Sequence, residues 1–237
     1  MAADPPSISA RLETAEDDRV HLLETFIAIL GHDLTSPLTA VRMSAELLSY
    51  GGITGGPDGA PAKHVRRILL AAESMQRMIQ DLLDLARTRG GGGFVLRRSA
   101  SDLSELTKNV VEQVRLQHPA RVIELASSGA VLGAWDAVRM TQALSNLVLN
   151  AVVHSPEETP VRVVTRDDPS GVTVEVHNHG AIAAEALPSL FQPFRRRSDS
   201  TGLGLGLYIA QQIVQAHGGR LVARSSEAEG TTLTATL

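Results

Sequence analysis

Apolar residues recur three and four positions apart along the first third of the chain, which is the spacing of an amphipathic helix. From about Ile8 to Tyr50 the only glycine is Gly31, so this stretch predicts one long helix. The segment from Gly51 to Pro61 is rich in Gly and Pro and predicts a turn. A second helix with an apolar seam follows the turn. The seam positions are Leu34, Leu38, Val41, Ala45 and Leu48 on the first helix, and Val65, Ile68, Ala72, Met75, Ile79, Leu82 and Ala86 on the second.

Two helices joined in this way form an antiparallel hairpin that is too thin to bury both apolar stripes. A second copy of the chain would complete a four-helix bundle, so the pattern predicts a homodimer. We place this all-α helical hairpin domain at residues 8–89.

The pattern changes after Gly90 to Gly93, which reads as a flexible linker. β-Branched runs now alternate with helical stretches, which predicts an α+β domain over residues 94–237 with helices on one face of a mixed sheet. The strands are expected at Val161 to Thr165, Val172 to Val176, Leu221 to Ala223 and Thr231 to Leu237. The helices are expected at Leu103 to Gln117, Ala137 to Val153 and Leu207 to His217.

Composition excludes several classes of function. The chain has 237 residues and a net charge of -4, and it shows no cluster of basic residues, so nucleic acid is not an expected partner. It contains no cysteine, which rules out disulfides and thiolate metal sites. No apolar run approaches the length of a membrane span, and Met1 to Ser9 is unlike a signal peptide. We therefore expect a cytoplasmic protein without a membrane span.

One histidine on the first helix is predicted to be accessible to solvent and has a carboxylate next to it. The seam places His32 on a flank of the helix that is open to solvent, and Asp33 beside it can accept the imidazole proton. Pro37 should bend the helix one turn later. Taken alone, these residues fit a surface histidine near a kink better than a reactive one.

The stretch from Phe26 to Leu38 resembles the H-box of sensor histidine kinases. The resemblance implies that His32 accepts a phosphoryl group and that Asp33 is the general base. Two residues depart from the family pattern. Thr35 stands where the family usually has Arg or Lys, and Ser36 stands where it usually has Thr or Asn. Because that second position orients water, the departure predicts weakened phosphatase activity.

A polar stripe runs along the helix expected at 137–153. Gln142, Asn146, Asn150 and His154 are four apart and share one face, and amide oxygens suit Mg²⁺ held jointly with phosphates. A cap or a satisfied buried amide would explain one asparagine better than two. The segment resembles the family's N-box, which assigns the metal to Asn150. Hydrolysing relatives carry a glutamate at the position of Asn146, so the asparagine there favours transfer to a protein acceptor.

Glycines before the last helix predict a phosphate site. Gly202, Gly204 and Gly206 precede this helix, whose N-terminal N–H groups attract anions. The string resembles the G2-box, and the preceding stretch from Phe191 to Phe194 resembles the F-box. The resemblance makes the basic segment between them, Arg195 to Thr201, a lid over the nucleotide, and it puts Arg196 on the phosphates. A solvated loop is the alternative explanation for the arginines.

The adenine site departs most from the family. The family has an Asp-x-Gly-x-Gly turn, and here Asn178 and Gly180 take the first two positions, as in a subset of phytochrome-type, light-regulated histidine kinases. An amide oxygen can accept the bond of the adenine amino group but carries no charge, so we expect a cost of about 1 kcal/mol in ATP binding.

Together the motifs resemble the transmitter core of a sensor histidine kinase, a helical hairpin followed by an α+β sandwich of the GHKL, or Bergerat, type. The resemblance implies autophosphorylation of His32 from ATP and Mg²⁺, then transfer to an aspartate of a response-regulator receiver domain. It also implies a possible sensory protein acting in trans. The alternatives are a catalytically weak dimeric scaffold, a GHKL-type ATPase and a protein serine kinase.

Overall fold

The computed structural model of the chain describes residues 34–48, 60–89, 93–168, 171–195 and 203–237. The first range is helical throughout and is called α1. The second helix, α2, spans Ala60–Arg89. These two helices are the helical hairpin that the apolar spacing predicts. The expected helix before residue 34 and the turn over 51–59 lie outside the described residues.

The buried face of α2 is offset from the predicted seam. Ala71, Met78 and Leu85 are buried and recur every seven residues. Val65 and Ile79, which the sequence places on the seam, are instead about half exposed at 46% and 51%. A single hairpin can cover only one side of α2, so the second apolar stripe stays uncovered within one chain.

The remaining described residues form the α+β domain. A short antiparallel pair, β1 (Ser99–Asp102) and β3 (Leu132–Trp135), lies beside a five-stranded mixed sheet with the order β2-β4-β5-β7-β6. The other elements are α3 (Leu103–Gln117), β2 (Ile123–Ser127), α4 (Ala137–His154), β4 (Val161–Asp168), β5 (Gly171–Asn178), a 3₁₀ turn (Leu187–Ser189), α5 (Gly206–Ala216), β6 (Arg220–Ser226) and β7 (Gly230–Thr236).

The mixed sheet has one apolar face and one polar face. Side chains alternate along each strand, so Val174 and Val176 are buried while Glu175 and His177 between and beside them are partly exposed. Helices α3, α4 and α5 all pack on strands of this sheet. The buried side chains of α4, from Met140 to Val152, lie on the apolar face of the sheet. This confirms the predicted layer of helices on a mixed sheet.

The chain divides into two compact units, and the division falls within α2. Among the described residues, α1 and α2 through Ile79 belong to the first unit, and the chain from Gln80 belongs with most of the α+β domain to the second. Asp84 is fully buried in this second unit. Its carboxylate accepts hydrogen bonds from Arg139 at 2.9 and 3.0 Å and from Gln142 at 2.7 Å. The last turns of α2 are thereby tied to the start of α4.

No helix within the described ranges is long and apolar enough to cross a membrane. The chain folds with no disulfide, since it contains no cysteine. The described residues are held by packing, hydrogen bonds and ion pairs such as that of Asp84 with Arg139.

Candidate functional site

Helix α4 carries the polar stripe that the sequence predicts. Asp136 caps its N-terminus by accepting from the Arg139 N–H at 3.1 Å. Burial raises the pKa of this carboxyl, but amide hydrogen bonds from Arg97 and Arg139 and the nearby charges of Arg139 and His217 bring it below its ordinary value. Asn146 and Asn150 lie one turn apart on one face, and both are partly buried. Both side chains are therefore held on a rigid support, the same face of one helix.

Asn146 connects α4 to the start of α5. Its Nδ2 donates to the backbone oxygen of Gly206 at 3.0 Å, and α5 begins at that same glycine. Gly204 precedes it with a φ of 66°, a left-handed conformation that a glycine adopts without strain. The free N–H groups of the first turn of α5 thus lie close to the asparagine stripe. This is the arrangement that the glycine-rich string predicts for phosphate.

The turn after β5 closes against the other end of α4. Asn178 is buried at 3% exposure, and its Nδ2 lies 3.5 Å from the backbone oxygens of His154 and Gly180. A Cβ on residue 180 would overlap the His154 carbonyl oxygen, so only a glycine permits this approach. His154 is the last residue of the predicted polar stripe and the last residue of α4. The structure gives its carbonyl a role in seating this turn.

The two contacts make α4 the common support of both halves of the site. Asn146 and His154 are eight residues apart, which is about 12 Å along a helix. One contact fixes the start of α5, and the other fixes the turn at Asn178. A long ligand with an anionic end and a planar end could lie along this face.

Two histidines flank the turn on the polar face of the sheet. The rings of His177 and His179 meet edge to face at 5.3 Å, and His177 Nδ1 is 3.0 Å from the Thr232 hydroxyl. Burial lowers the pKa of His177, and the neighbouring His179 and Arg162 lower it further, against a smaller opposing effect of Glu229. His177 is therefore neutral at pH 7.

The F-box region ends in a strained residue. Phe194 has a φ of 63°, and it is the one non-glycine residue with positive φ within the described ranges. Such a conformation costs on the order of 1 to 2 kcal/mol in an aromatic residue. The strain lies directly before the basic segment that the sequence assigns to a lid.

Four predicted site residues lie outside the described ranges. They are His32, Asp33, Arg196 and Gly202. Of the other six, hydrogen bonds join Asn146 to Gly206 and Asn178 to Gly180, Asn150 lies one turn after Asn146 on α4, and Gly204 lies two residues before Gly206.

Sequence reasoning missed the hydroxyl groups that support the turn. Thr231 Oγ1 donates to the Gly180 oxygen at 2.6 Å, and it is 2.8 Å from the hydroxyl of Ser225. Thr231 lies in a predicted strand, whereas Ser225 lies two residues beyond the end of the strand predicted at Leu221 to Ala223. Their inward orientation could have been found from the alternation of β7, in which Thr231 shares a face with Leu233 and Ala235.

Comparison with known proteins identifies both halves of the chain. Residues 22–91 match the family described as the His Kinase A (phospho-acceptor) domain. Residues 135–237 match the family described as the histidine kinase-, DNA gyrase B- and HSP90-like ATPase. The second half is therefore an ATP-binding domain of that superfamily.

Individual relatives agree with the two family matches. The chain is 35% identical to a bacteriophytochrome of Pseudomonas aeruginosa over 213 residues, covering 87% of this chain and 28% of that protein. It is 30% identical to the sensor protein SphS of Synechococcus elongatus, covering 95% of this chain and 58% of that protein. Among solved structures, full-length ShkA in complex with AMPPNP superposes with a TM-score of 0.63 at 25% identity, covering 88% of this chain and 44% of that one.

The chain spans less than two thirds of the length of these relatives. The two family models match this chain in the order phospho-acceptor domain, then ATP-binding domain. The chain therefore belongs to the sensor histidine kinases, of which it carries the transmitter core.

Proposed function

We propose that the chain is a protein-histidine kinase that transfers the γ-phosphoryl group of ATP to His32. The observation that carries this proposal is the double attachment of α4. Through Asn146 it holds the start of α5, and through the His154 carbonyl it holds the turn at Asn178. A nucleotide needs both ends fixed at once, because its phosphates must be aligned with the acceptor while its base is held.

The residues present fit ATP. Gly180 lets the turn that bears Asn178 lie against α4, and Asn178 has an amide oxygen that can accept from the adenine amino group. The N–H groups at the start of α5, after Gly204, suit the phosphates. ShkA, which shares this fold, was solved with the ATP analogue AMPPNP. We assign Arg196 and Gly202 to the phosphate end on the motif alone.

Asn150 is the residue that would hold Mg²⁺. Its amide oxygen is a hard ligand on the same face as Asn146, and it lies on the side of α4 that faces the site. When bound, the metal would supply charge neutralisation on the phosphate oxygens. Asn146 donates its amide nitrogen to Gly206, and an amide, unlike a carboxylate, has no basic group that could activate water. This favours transfer to a protein side chain over hydrolysis.

His32 and Asp33 complete the proposed reaction. Asp33 would hold the imidazole proton, so that the other ring nitrogen of His32 is free to attack phosphorus as the bond to the leaving ADP breaks. The phosphoryl group would then pass to an aspartate of a receiver domain. We assign the phosphotransfer hairpin to residues 8–89 and the catalytic domain to residues 94–237.

The uncovered stripe on α2 supports dimerisation through the hairpin. Val65, Leu69, Ile79 and Leu83 are each about half exposed, and a second copy would cover them. Since the chain spans only part of its relatives, a sensory input could act on it in trans or from a longer chain.

Phosphorylation with γ-labelled ATP and Mg²⁺ tests the proposal. We expect a label on the protein that is lost in acid, stable in base and absent from His32→Gln. His64→Gln is the matched control, because His64 lies on the other helix of the hairpin and should leave the label unchanged. A label that survives acid would contradict the proposal in favour of serine or threonine phosphorylation. Phosphate release without protein label would contradict it in favour of an ATPase.

A further inference from the structure

Three neighbouring strands present a row of polar side chains behind the turn at Asn178. Asn178 on β5 is opposite Thr231 on β7, and Thr231 is opposite Ser225 on β6. Thr231 is 1% exposed and Ser225 is partly buried. The row therefore lies on the side of the sheet that the helices cover, directly beneath the proposed base site.

A continuous hydrogen-bond chain runs along this row. The backbone N–H of Ile182 donates to Ser225 Oγ at 2.8 Å. Ser225 Oγ and Thr231 Oγ1 are 2.8 Å apart, and Thr231 Oγ1 is 2.6 Å from the Gly180 oxygen. Both ends of the chain are backbone atoms of the turn, so two side chains hold it from below.

The two ends fix the direction of every hydrogen bond in between. The Gly180 oxygen can only accept, so the Thr231 hydroxyl must donate to it. Thr231 then has lone pairs for Ser225, and Ser225 donates to it while accepting from Ile182. Each hydroxyl proton therefore has one acceptor. The hydrogen bonds all run in one direction, from the Ile182 N–H to the Gly180 oxygen, and this direction is the polarity of the hydrogen-bond chain.

This polarity reaches Asn178 through Gly180. The Nδ2 of Asn178 lies 3.5 Å from the Gly180 and His154 oxygens, both of which can only accept. With Gly180 held in place by Thr231, the NH₂ group faces these two carbonyls. The amide oxygen Oδ1 therefore points the other way, as an acceptor. An aspartate at this position would not need its orientation fixed in this way, because its two oxygens are equivalent.

We propose that Ser225 is a positioning residue that, through Thr231 and Gly180, fixes the orientation of the Asn178 amide and so makes the base site selective for ATP over GTP. The inference rests on the proposed nucleotide site. Adenine carries an amino group, which donates, where guanine carries a carbonyl oxygen, which accepts. An Oδ1 that points away from the Gly180 and His154 carbonyls accepts from the adenine amino group and repels the guanine carbonyl oxygen. If the amide turned over, its NH₂ group would favour guanine.

Binding of ATP and of GTP to the full chain with Mg²⁺, measured by calorimetry, tests the inference. We expect the wild-type chain to prefer ATP. In Ser225→Ala the affinity for ATP should fall roughly three- to tenfold, the loss of one neutral hydrogen bond. GTP should lose less, so the preference for ATP shrinks. Autophosphorylation should show a higher KM for ATP with an unchanged rate at saturation.

Three further variants separate positioning from a general loss of structure. Ser226→Ala removes the exposed hydroxyl of the next residue, which accepts from the Glu229 N–H, and should bind as the wild type does. Ser225→Thr keeps the hydroxyl and should restore both affinity and preference. Thr231→Val interrupts the same chain, so it should match Ser225→Ala. The double variant should then lose little more than either single variant.

Equal losses for ATP and GTP in both Ser225→Ala and Thr231→Val would overturn the inference, because a general loosening does not discriminate between bases. Unchanged ATP affinity in both variants would also overturn it. Either result leaves the proposed function intact, since the wild-type chain still binds ATP. A wild-type chain that binds no ATP would overturn the proposed function, and this inference with it.

Discussion

At the scale of single residues, the site depends on close approach as much as on polar groups. Gly180 lies against the carbonyl of His154, where no side chain fits. The turn that bears Asn178 can therefore reach α4 only because residue 180 has no Cβ. This contact fixes the base end of the site.

Gly180→Ala should accordingly weaken ATP binding. The added Cβ would push the turn away from α4 and take Asn178 with it, and we expect the affinity to fall by at least tenfold, equivalent to about 1.4 kcal/mol. Titration with ATP followed by calorimetry measures the effect. Gly129→Ala is the control, because a Cβ there meets nothing within 4 Å. An alanine at this φ of 129° is strained, so the control also shows what backbone strain alone does to binding. If both variants bound ATP equally well, the contact would not matter for binding.

Asp136 makes a second prediction, on the pH dependence of stability. Its pKa is lower in the folded chain than the ordinary 3.8. The ionised group therefore stabilises the fold above about pH 4, and this contribution is lost as the pH falls through the folded pKa. We expect Asp136→Asn, whose NH₂ group would face the N–H of either Arg97 or Arg139, to lower the free energy of unfolding by about 1 kcal/mol at pH 7.

Urea unfolding at pH 7, 5 and 3 measures this contribution. The difference between Asp136→Asn and the wild type should persist at pH 5 and shrink at pH 3. Asp167→Asn, a change at an exposed carboxyl, should stay within about 0.5 kcal/mol at pH 7. A difference for Asp136→Asn of the same size at pH 3 would show that it does not arise from the charge.

At the scale of elements, the end of α2 is bound to α4 by a buried ion pair. Asp84 is completely buried and Arg139 is 19% exposed. Gln142 and Gln80 also donate to the carboxylate, at 2.7 and 3.2 Å. Arg139 in turn lies over the ring of Phe94, at 4.6 Å from its centroid. The pair is thus held on all sides by hydrogen bonds and packing.

Removing one partner of this pair should be costly. Asp84→Ala would leave Arg139 buried without its counter-charge, and we expect a loss of about 3 kcal/mol in the free energy of unfolding. Glu112→Ala, which breaks the exposed pair with Lys108, should cost less than about 0.5 kcal/mol. Urea unfolding compares the two. Equal effects would mean that Asp84 is not an important attachment.

The sequence predicted the long elements and missed the short ones. The expected bounds of α3 are those observed, α4 differs from expectation by one residue at its C-terminal end, and α5 differs by one residue at each end. The buried residues of these helices recur at regular spacing over several turns, so the helices can be recognised from the sequence. Strands β1, β2 and β3 have four or five residues each and mixed polarity, so they carry too little pattern.

Motifs carry most of the proposed site. The sequence predicts Asn146, Asn150, Gly204 and Gly206 as site residues because their residue types and spacing are distinctive. The pairing of Asp84 with Arg139 joins residues 55 positions apart, and nothing in the local pattern of either one indicates it. The same is true of Ser225 and Ile182. Contacts between distant segments depend on the tertiary packing, which a single sequence does not display.

At the scale of the whole molecule, one chain leaves part of its helical surface uncovered. On α2 the sequence predicted a single seam, whereas the structure has two stripes. Ala71 and Met78 are covered within the chain, while Val65 and Ile79 are not. A seam exposed to water over several turns is unfavourable, because each half-exposed aliphatic side chain gains on the order of 1 kcal/mol from burial. A second copy of the hairpin supplies that burial.

Ile79→Glu should therefore convert the proposed dimer into a monomer. A carboxylate at this position would be buried against an apolar partner, which it resists strongly, while in a single chain it would remain half in water. Leu116→Glu is the matched control, because Leu116 is 79% exposed on α3, in the other unit, and the same charge there should leave the dimer intact. Sedimentation velocity measures the two masses, and circular dichroism checks that both variants keep their helices. A dimer that survives Ile79→Glu would place the interface elsewhere, whereas a monomeric wild-type chain would mean that this stripe is covered by another partner.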